Sequence, residues 1–177
     1  MKSLISLAIF SLVSLSSCEK ALDRSYKRAT DKAGEEKEKQ AEAEDATKAR
    51  ELMEDASHSS DLNAMAAKAG IDYPALLERA FRKEKDAVAK LLWMAGNANL
   101  DGAGSEGYSY SMVRAAQLIG DQDVSDAAKP LDNASRYALC MKFLYEYGLD
   151  SDSEAAVTNM QKDFPLLWAL IGESKDE

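Results

Sequence analysis

Between residues 19 and 57 the chain offers almost nothing from which a hydrophobic core could be built. The stretch holds nine Lys/Arg, twelve Asp/Glu, many alanines, one glycine (Gly34) and no proline. Its large apolar residues are Leu22, Tyr26, Leu52 and Met53 alone. Alanine, glutamate and lysine are strong helix formers, and Glu35–Lys39 and Glu44–Lys48 are spaced four apart with the acid first, the favourable order on a helix. The stretch therefore reads as a solvated helix or a disordered tether, about 60 Å long if helical throughout. It lacks the sustained heptad positions of a coiled coil. Any packed body has to come from residues 58–177, with the boundary at the polar cluster Ser57-His58-Ser59-Ser60-Asp61.

Beyond that boundary the apolar residues recur at helical spacing. Leu76, Leu77, Ala80 and Phe81 share a face; so do Val88, Leu91, Leu92 and Ala95, then Met112, Val113, Ala116 and Ile119. A fourth stripe is expected at Tyr137, Met141, Leu144 and Tyr145, widened by Leu139, Cys140 and Phe143. Spacings of three and four mark core-facing helices, and no run alternates with the period of a strand. The fold class expected is all-α. Gly70, Gly96, Gly120, Gly148 and Gly172 recur at intervals of 26, 24, 28 and 24 residues, the first four with Asp or Asn close behind. A left-handed glycine can end one helix while the acid or amide caps the next. Pro74, Pro130 and Pro165 fall where helices would begin. Short turns between antiparallel helices resemble, in architecture only, the helix-hairpin arrays of the HEAT and tetratricopeptide class; an irregular bundle is the alternative. An array would imply stacked hairpins with a concave face for a partner.

The first eighteen residues follow a secretory layout. Lys2 precedes an uncharged run from Leu4 to Leu15, shorter than the ~20 apolar residues a membrane-spanning helix needs. Leu15-Ser16-Ser17-Cys18 then resembles the lipobox of bacterial lipoproteins. The resemblance implies a signal peptide over 1–17, cleavage before Cys18, and acyl chains on Cys18 that hold the N-terminus to a membrane. Two chains anchor far more firmly than one. Glu19, where an aspartate often marks inner-membrane retention, implies the periplasmic face of the outer membrane. The organisation expected is a signal peptide at 1–17, a charged tether at 18–57 and an all-α domain at 58–177. With Cys18 lipidated, Cys140 alone remains, so the domain relies on its core and not on disulfides.

Few residues carry recognisable chemistry. His58 is the only histidine and lies in the polar boundary; Cys140 sits in an apolar run and reads as a buried core residue. Asn97, Asn99 and Asp101, followed by Gly102, resemble the opening of an EF-hand calcium loop. Its twelfth position, which needs a bidentate glutamate, is Tyr108. Asp150-Ser151-Asp152-Ser153-Glu154 reads as an acidic helix start. No phosphate loop, dinucleotide fingerprint or zinc motif is present and no cofactor is implied. Beyond residue 17 the chain carries 21 Lys/Arg against 31 Asp/Glu, and residues 101–177 alone carry six against fourteen. That balance gives no basic footprint for nucleic acid and would steer a cationic partner. Tyr108, Tyr110, Tyr137, Tyr145 and Tyr147 gather in this half and are expected at the edge of the core.

The function expected is a lipid-anchored binding or scaffolding module that meets another envelope protein. The alternatives are an envelope hydrolase using acidic side chains and a weak calcium-responsive module. The anchor has a direct check: Cys18→Ser should abolish labelling by a fatty-acid analogue and release the protein in soluble form, and label on the variant would refute it.

Overall fold

The computed structural model describes the backbone of residues 5–97 and 102–172, and the side chains of these from residue 31 onward except 33 and 102–103. The side chains of the expected signal peptide and of Cys18, and all of Asn99 and Asp101, lie outside the described residues. Nine α-helices and no strand occur among the described residues. They are α1 (Ile5–His58), α2 (Ser60–Lys68), α3 (Tyr73–Phe81), α4 (Lys85–Asn97), α5 (Gly102–Ile119), α6 (Asp121–Ala128), α7 (Asn133–Glu146), α8 (Ser153–Asp163) and α9 (Pro165–Ile171). The all-α expectation holds. Among the described residues no helix is long and apolar enough to cross a membrane.

The chain divides into two compact units, Met1–Ala46 and Thr47–Glu177. In the first, the described side chains are exposed, and Lys32 and Glu36 pair at 3.9 Å across one helical turn in open solvent. Such a pair contributes little. The second unit begins eleven residues before the boundary expected from composition. Leu52 and Ala56, four apart on α1, are buried, and Met53 packs beside them. These residues are too few to register as a composition change, yet they form a one-turn apolar stripe. The end of α1 is closed by side chains. Asn63 Nδ2 donates to the carbonyls of Ala56 (2.9 Å) and Ser57 (3.1 Å), and His58 Nδ1 lies 2.8 Å from the Glu54 carbonyl. Carbonyls at a helix end have no partner within the helix, which is why polar side chains gather there.

Helices α2–α9 pack as two layers. One layer runs α3, α4, α6, α9 and the other α2, α5, α7, α8, each helix against the next. Four consecutive pairs (α2–α3, α4–α5, α6–α7, α8–α9) follow one another in space, with the substantial packing between neighbouring pairs. The chain does not visit the layers in fixed alternation: α3 to α4 stays in one and α7 to α8 in the other. A single hairpin geometry is therefore not repeated.

The glycine spacing has two physical origins. Gly70, Gly120 and Gly148 have positive φ (69°, 97° and 91°) and turn the chain between helices. Gly96 instead lies inside α4, and a Cβ there would come within 2.8 Å of Ser135 Cα on α7. It is a site of close approach between the layers, not a helix stop. Beside it, Asn97 Nδ2 donates to Ser135 Oγ (2.9 Å), and Ser135 N donates to the capping carboxylate of Asp132 (2.7 Å). Asp72 and Asp152 likewise cap α3 and α8. Pro74 and Pro165 open α3 and α9, whereas Pro130 sits in the turn before α7.

The first three apolar stripes are buried save for Phe81, which is partly so. The fourth differs. The core face of α7 is Leu139, Cys140, Phe143 and Leu144, while Tyr137 and Tyr145 are exposed and Met141 is half-buried. Phe143 meets Phe164 edge-on at 5.1 Å, which fixes this choice of face.

α9 illustrates how helices distant in sequence hold one another within a layer. Its N-cap is Phe164, which has no side-chain acceptor, and Pro165 has no N–H to satisfy. The N–H groups of Leu166 and Leu167 donate to the two carboxylate oxygens of Asp121 at the start of α6 (2.8 and 2.9 Å). The cap comes from 45 residues away.

Two outcomes follow. Gly96→Ala should cost about 1–3 kcal/mol, because the clash is with backbone that must move. Asp121→Ala should cost about 0.5–2 kcal/mol, as for a lost helix cap. Urea denaturation monitored by circular dichroism reads both; a Gly96→Ala protein as stable as wild type would contradict the close packing of α4 on α7.

Candidate functional site

Among the described residues, those singled out from the sequence are not brought together. His58 is exposed at the end of α1, and its neighbour Ser57 donates its hydroxyl to the Glu54 carbonyl (2.7 Å). Cys140 is buried in α7. Of the EF-hand-like residues, Asn97 turns its amide nitrogen to the carbonyl of Trp93 (3.0 Å) and to Ser135. Tyr108, at the position a calcium loop gives to glutamate, is fully buried with its hydroxyl donating to the Leu91 carbonyl (2.6 Å). Among the described residues no group of three His, Cys, Asp or Glu side chains could hold a metal ion.

The five tyrosines separate. Only Tyr108 is in the core; Tyr147 is half-buried, and Tyr110, Tyr137 and Tyr145 are 47, 49 and 51% exposed. The expectation of core edge fails for these three. They lie on α5 and α7, the two central helices of one layer.

Along the boundary of α5 and α7 runs a polar seam. Tyr110, Arg114 and Gln117 recur three and four apart on α5, and Lys142, Tyr145 and Glu146 lie on α7. The Arg114 guanidinium sits 5.6 Å from the Tyr110 ring centre and donates to Gln117 Oε1 (3.0 Å). Gln117 Nε2 reaches the Tyr147 hydroxyl (3.4 Å), which donates to Asp163 Oδ2 at the end of α8 (2.8 Å). At the other end of the seam the Lys142 ammonium donates to Ser105 Oγ.

Partial burial changes the acid–base character of this seam. Loss of hydration lowers the Lys142 pKa, against the attraction of Glu146. It raises that of Glu146, against Arg114 and Lys142. Among described carboxyls with a resolved shift, Glu146 alone moves up. Glu84 and Asp86 are held down by hydrogen bonds from Arg79, Asp126 by Lys129, and Asp132 by the Ser135 backbone. Tyr147 is pushed up to about 12, first by loss of hydration; Gln117 opposes this and Asp163 adds to it.

Besides a small cleft of about 150 Å³ lined by residues that include Val88, Asp123 and Asp126, two more open clefts lie among the described residues of this unit. One of about 300 Å³ is lined by Gln117, Gly120, Asp121, Asp163 and Phe164, at the end of the seam. Its two carboxylates are committed, Asp121 to the α9 N–H groups and Asp163 to Tyr147. The other, of about 500 Å³, is lined by residues that include Asn63, Ile71, Tyr73 and Pro74. In the small cleft Asp123 pairs with Lys83 (3.0 Å) and Asp126 is held down by Lys129, so none of the three encloses a pair of carboxylates with one held protonated, as a hydrolase of the acidic type requires.

Sequence reading missed the seam because Arg114, Gln117, Lys142 and Glu146 carry no motif. The one available signal was α7 itself, whose apolar residues occupy more of its circumference than a single core face needs. Compared with family models, curated proteins and solved structures, the chain matches none.

Tyr147 gives a pH prediction. Its folded pKa lies above the ~10 of an unperturbed tyrosine. Its contribution to stability is therefore complete below about pH 10 and lost as pH rises toward 12. The stability advantage of wild type over Tyr147→Phe should shrink across that window in urea titrations; a constant difference would contradict it.

Proposed function

We propose that the chain is a lipid-anchored envelope protein whose two-layer helical unit is a binding or scaffolding module for another envelope protein. The lipobox-like sequence at Leu15–Cys18 supports the anchor, and a place on the periplasmic face of the outer membrane rests on Glu19. The observation that carries the binding reading is the exposure of three tyrosines on the two central helices of one layer, beside the Arg114–Glu146 seam. Tyrosine offers a large contact area with few rotatable bonds, and both it and arginine are enriched where proteins meet. The charge balance disfavours nucleic acid and, for anionic lipid, favours contact through the anchor over contact through the domain.

A second reading, an envelope hydrolase acting through acidic residues, is favoured only by the raised carboxyl of Glu146. It would predict an activity abolished by Glu146→Gln.

The binding reading is tested in cells. A photoreactive phenylalanine analogue in place of Tyr145 should yield one or a few discrete envelope adducts. The same analogue in place of Gln122, exposed on α6 in the other layer, should not. Equal yields from both positions, or none from either, would count against a binding face on α5 and α7.

A further inference from the structure

We infer that the solvent face of α7 docks a basic amphipathic helix of the partner protein; this rests on the binding reading above and specifies its ligand. The inward side of α7 is filled by Leu139, Cys140, Phe143 and Leu144. Its outward side carries a second apolar stripe: Ala134, Tyr137, Ala138, Met141 and Tyr145, at spacings of three, one, three and four. Ala134, Tyr137 and Tyr145 are exposed, and Ala138 and Met141 are half-exposed. The stripe extends for about 16 Å, three turns of helix. A wide apolar stripe on a helix is ordinarily covered, and among the described residues of the second unit no neighbour covers this one. Its shape suits another helix. Ala134 and Ala138 are small and one turn apart beside the larger Tyr137, Met141 and Tyr145, an alternation against which a ridge of side chains can pack.

Charge chooses the occupant. Asp132 precedes the stripe, Glu146 follows it, and Asp150, Asp152 and Glu154 lie in the next turn and the start of α8; all are exposed. Of the cations on or beside α7, Arg136 donates to the Lys129 carbonyl, Lys142 to Ser105 Oγ, and Arg114 to Gln117 next to the Tyr110 ring; each keeps its charge, and the five carboxylates outnumber these three. Asp132 is held ionised by its hydrogen bonds from Ser135. A helix with an apolar stripe and flanking Lys or Arg would place those cations opposite this rim. A second copy of the chain would not. In an antiparallel α7–α7 pair, Asp132 of each copy would face Glu146 and Asp150 of the other, which is repulsive.

The test uses the full chain in neutral detergent, with the photoreactive analogue in place of Tyr145. The probes are two synthetic amphipathic helices, one of Leu and Lys and one of Leu and Glu. The Leu/Lys peptide should form a saturable one-to-one adduct, and the Leu/Glu peptide should not. Ala138→Lys, which puts a like charge in mid-stripe, should raise the half-saturating concentration by about tenfold or more, equivalent to about 1.4 kcal/mol. Gln122→Lys adds the same charge in the other layer and should leave it nearly unchanged. Both substitutions are at surface positions, and circular dichroism checks that the fold is kept. Equal capture of both peptides, equal effects of the two lysines, or a dimer in sedimentation that Ala138→Lys dissociates would overturn the inference. Discrete adducts in cells together with any of these would leave the binding reading standing and remove only its basic-helix form.

Discussion

The helical unit depends on how closely α4 can approach α7. α4 buries Ala87, Val88, Leu91, Leu92, Met94 and Ala95, and it packs on α3 and α6 within its own layer and on α7 across the interface. Gly96 admits the Ser135 backbone where any side chain would collide. Asn97 and Asp132 then satisfy the polar groups that this contact buries. Interiors packed like crystals leave no slack for an extra methyl group. One missing Cβ thus lets the two layers approach closely at this point.

Polar groups in the interior are arranged so that the layers need one another. Tyr73 and Tyr108 are fully buried and meet edge-on at 6.1 Å. The Tyr73 hydroxyl is paired with Ser111 Oγ (2.6 Å), Ser111 Oγ also contacts the Tyr108 carbonyl (3.1 Å), and the Tyr108 hydroxyl donates to Leu91. Burial raises the pKa of both phenols, so the neutral form is the one the fold holds. A buried hydroxyl without a partner is costly. These bonds therefore tie α3 and α4 of one layer to α5 of the other. Within one layer, Asp121 ties α6 to α9 in a similar way. The effect is specificity: both phenols and the start of α9 are satisfied only when another helix is in place.

Function is left to what the core does not use. The arginine and glutamate side chains around the α3–α4 turn pair among themselves, Arg79 with Glu84 and Asp86 and Arg82 with Glu78 and Glu84, and they lie in open solvent. Such pairs add little to stability and leave few unpaired charges there. On α5 and α7 the situation is reversed: tyrosine rings stay exposed, and a half-buried lysine and a carboxyl raised by lost hydration lie between them. That contrast between the two layers makes one face of the unit distinctive.

The sequence by itself determined the class of the fold and most of its local grammar. Period-three and period-four stripes in α3, α4 and α5, the prolines opening α3 and α9, and the capping acids Asp72 and Asp152 are legible because each acts within one turn of its own position. The charge excess is a sum over the residues and needs no fold to be read. Tertiary structure decided the rest. Gly96 looked like the turn glycines, since a turn and a close approach leave the same letter in a sequence. Asp121 looked like a cap for its own helix but serves one 45 residues away. The apolar residues of α7 exceeded one face, and periodicity cannot say which half is buried; Phe164, arriving on the chain after α8, selected Phe143 and left Tyr137 and Tyr145 outside. Local pattern fixes what a helix can bury, and only its neighbours fix what it does bury.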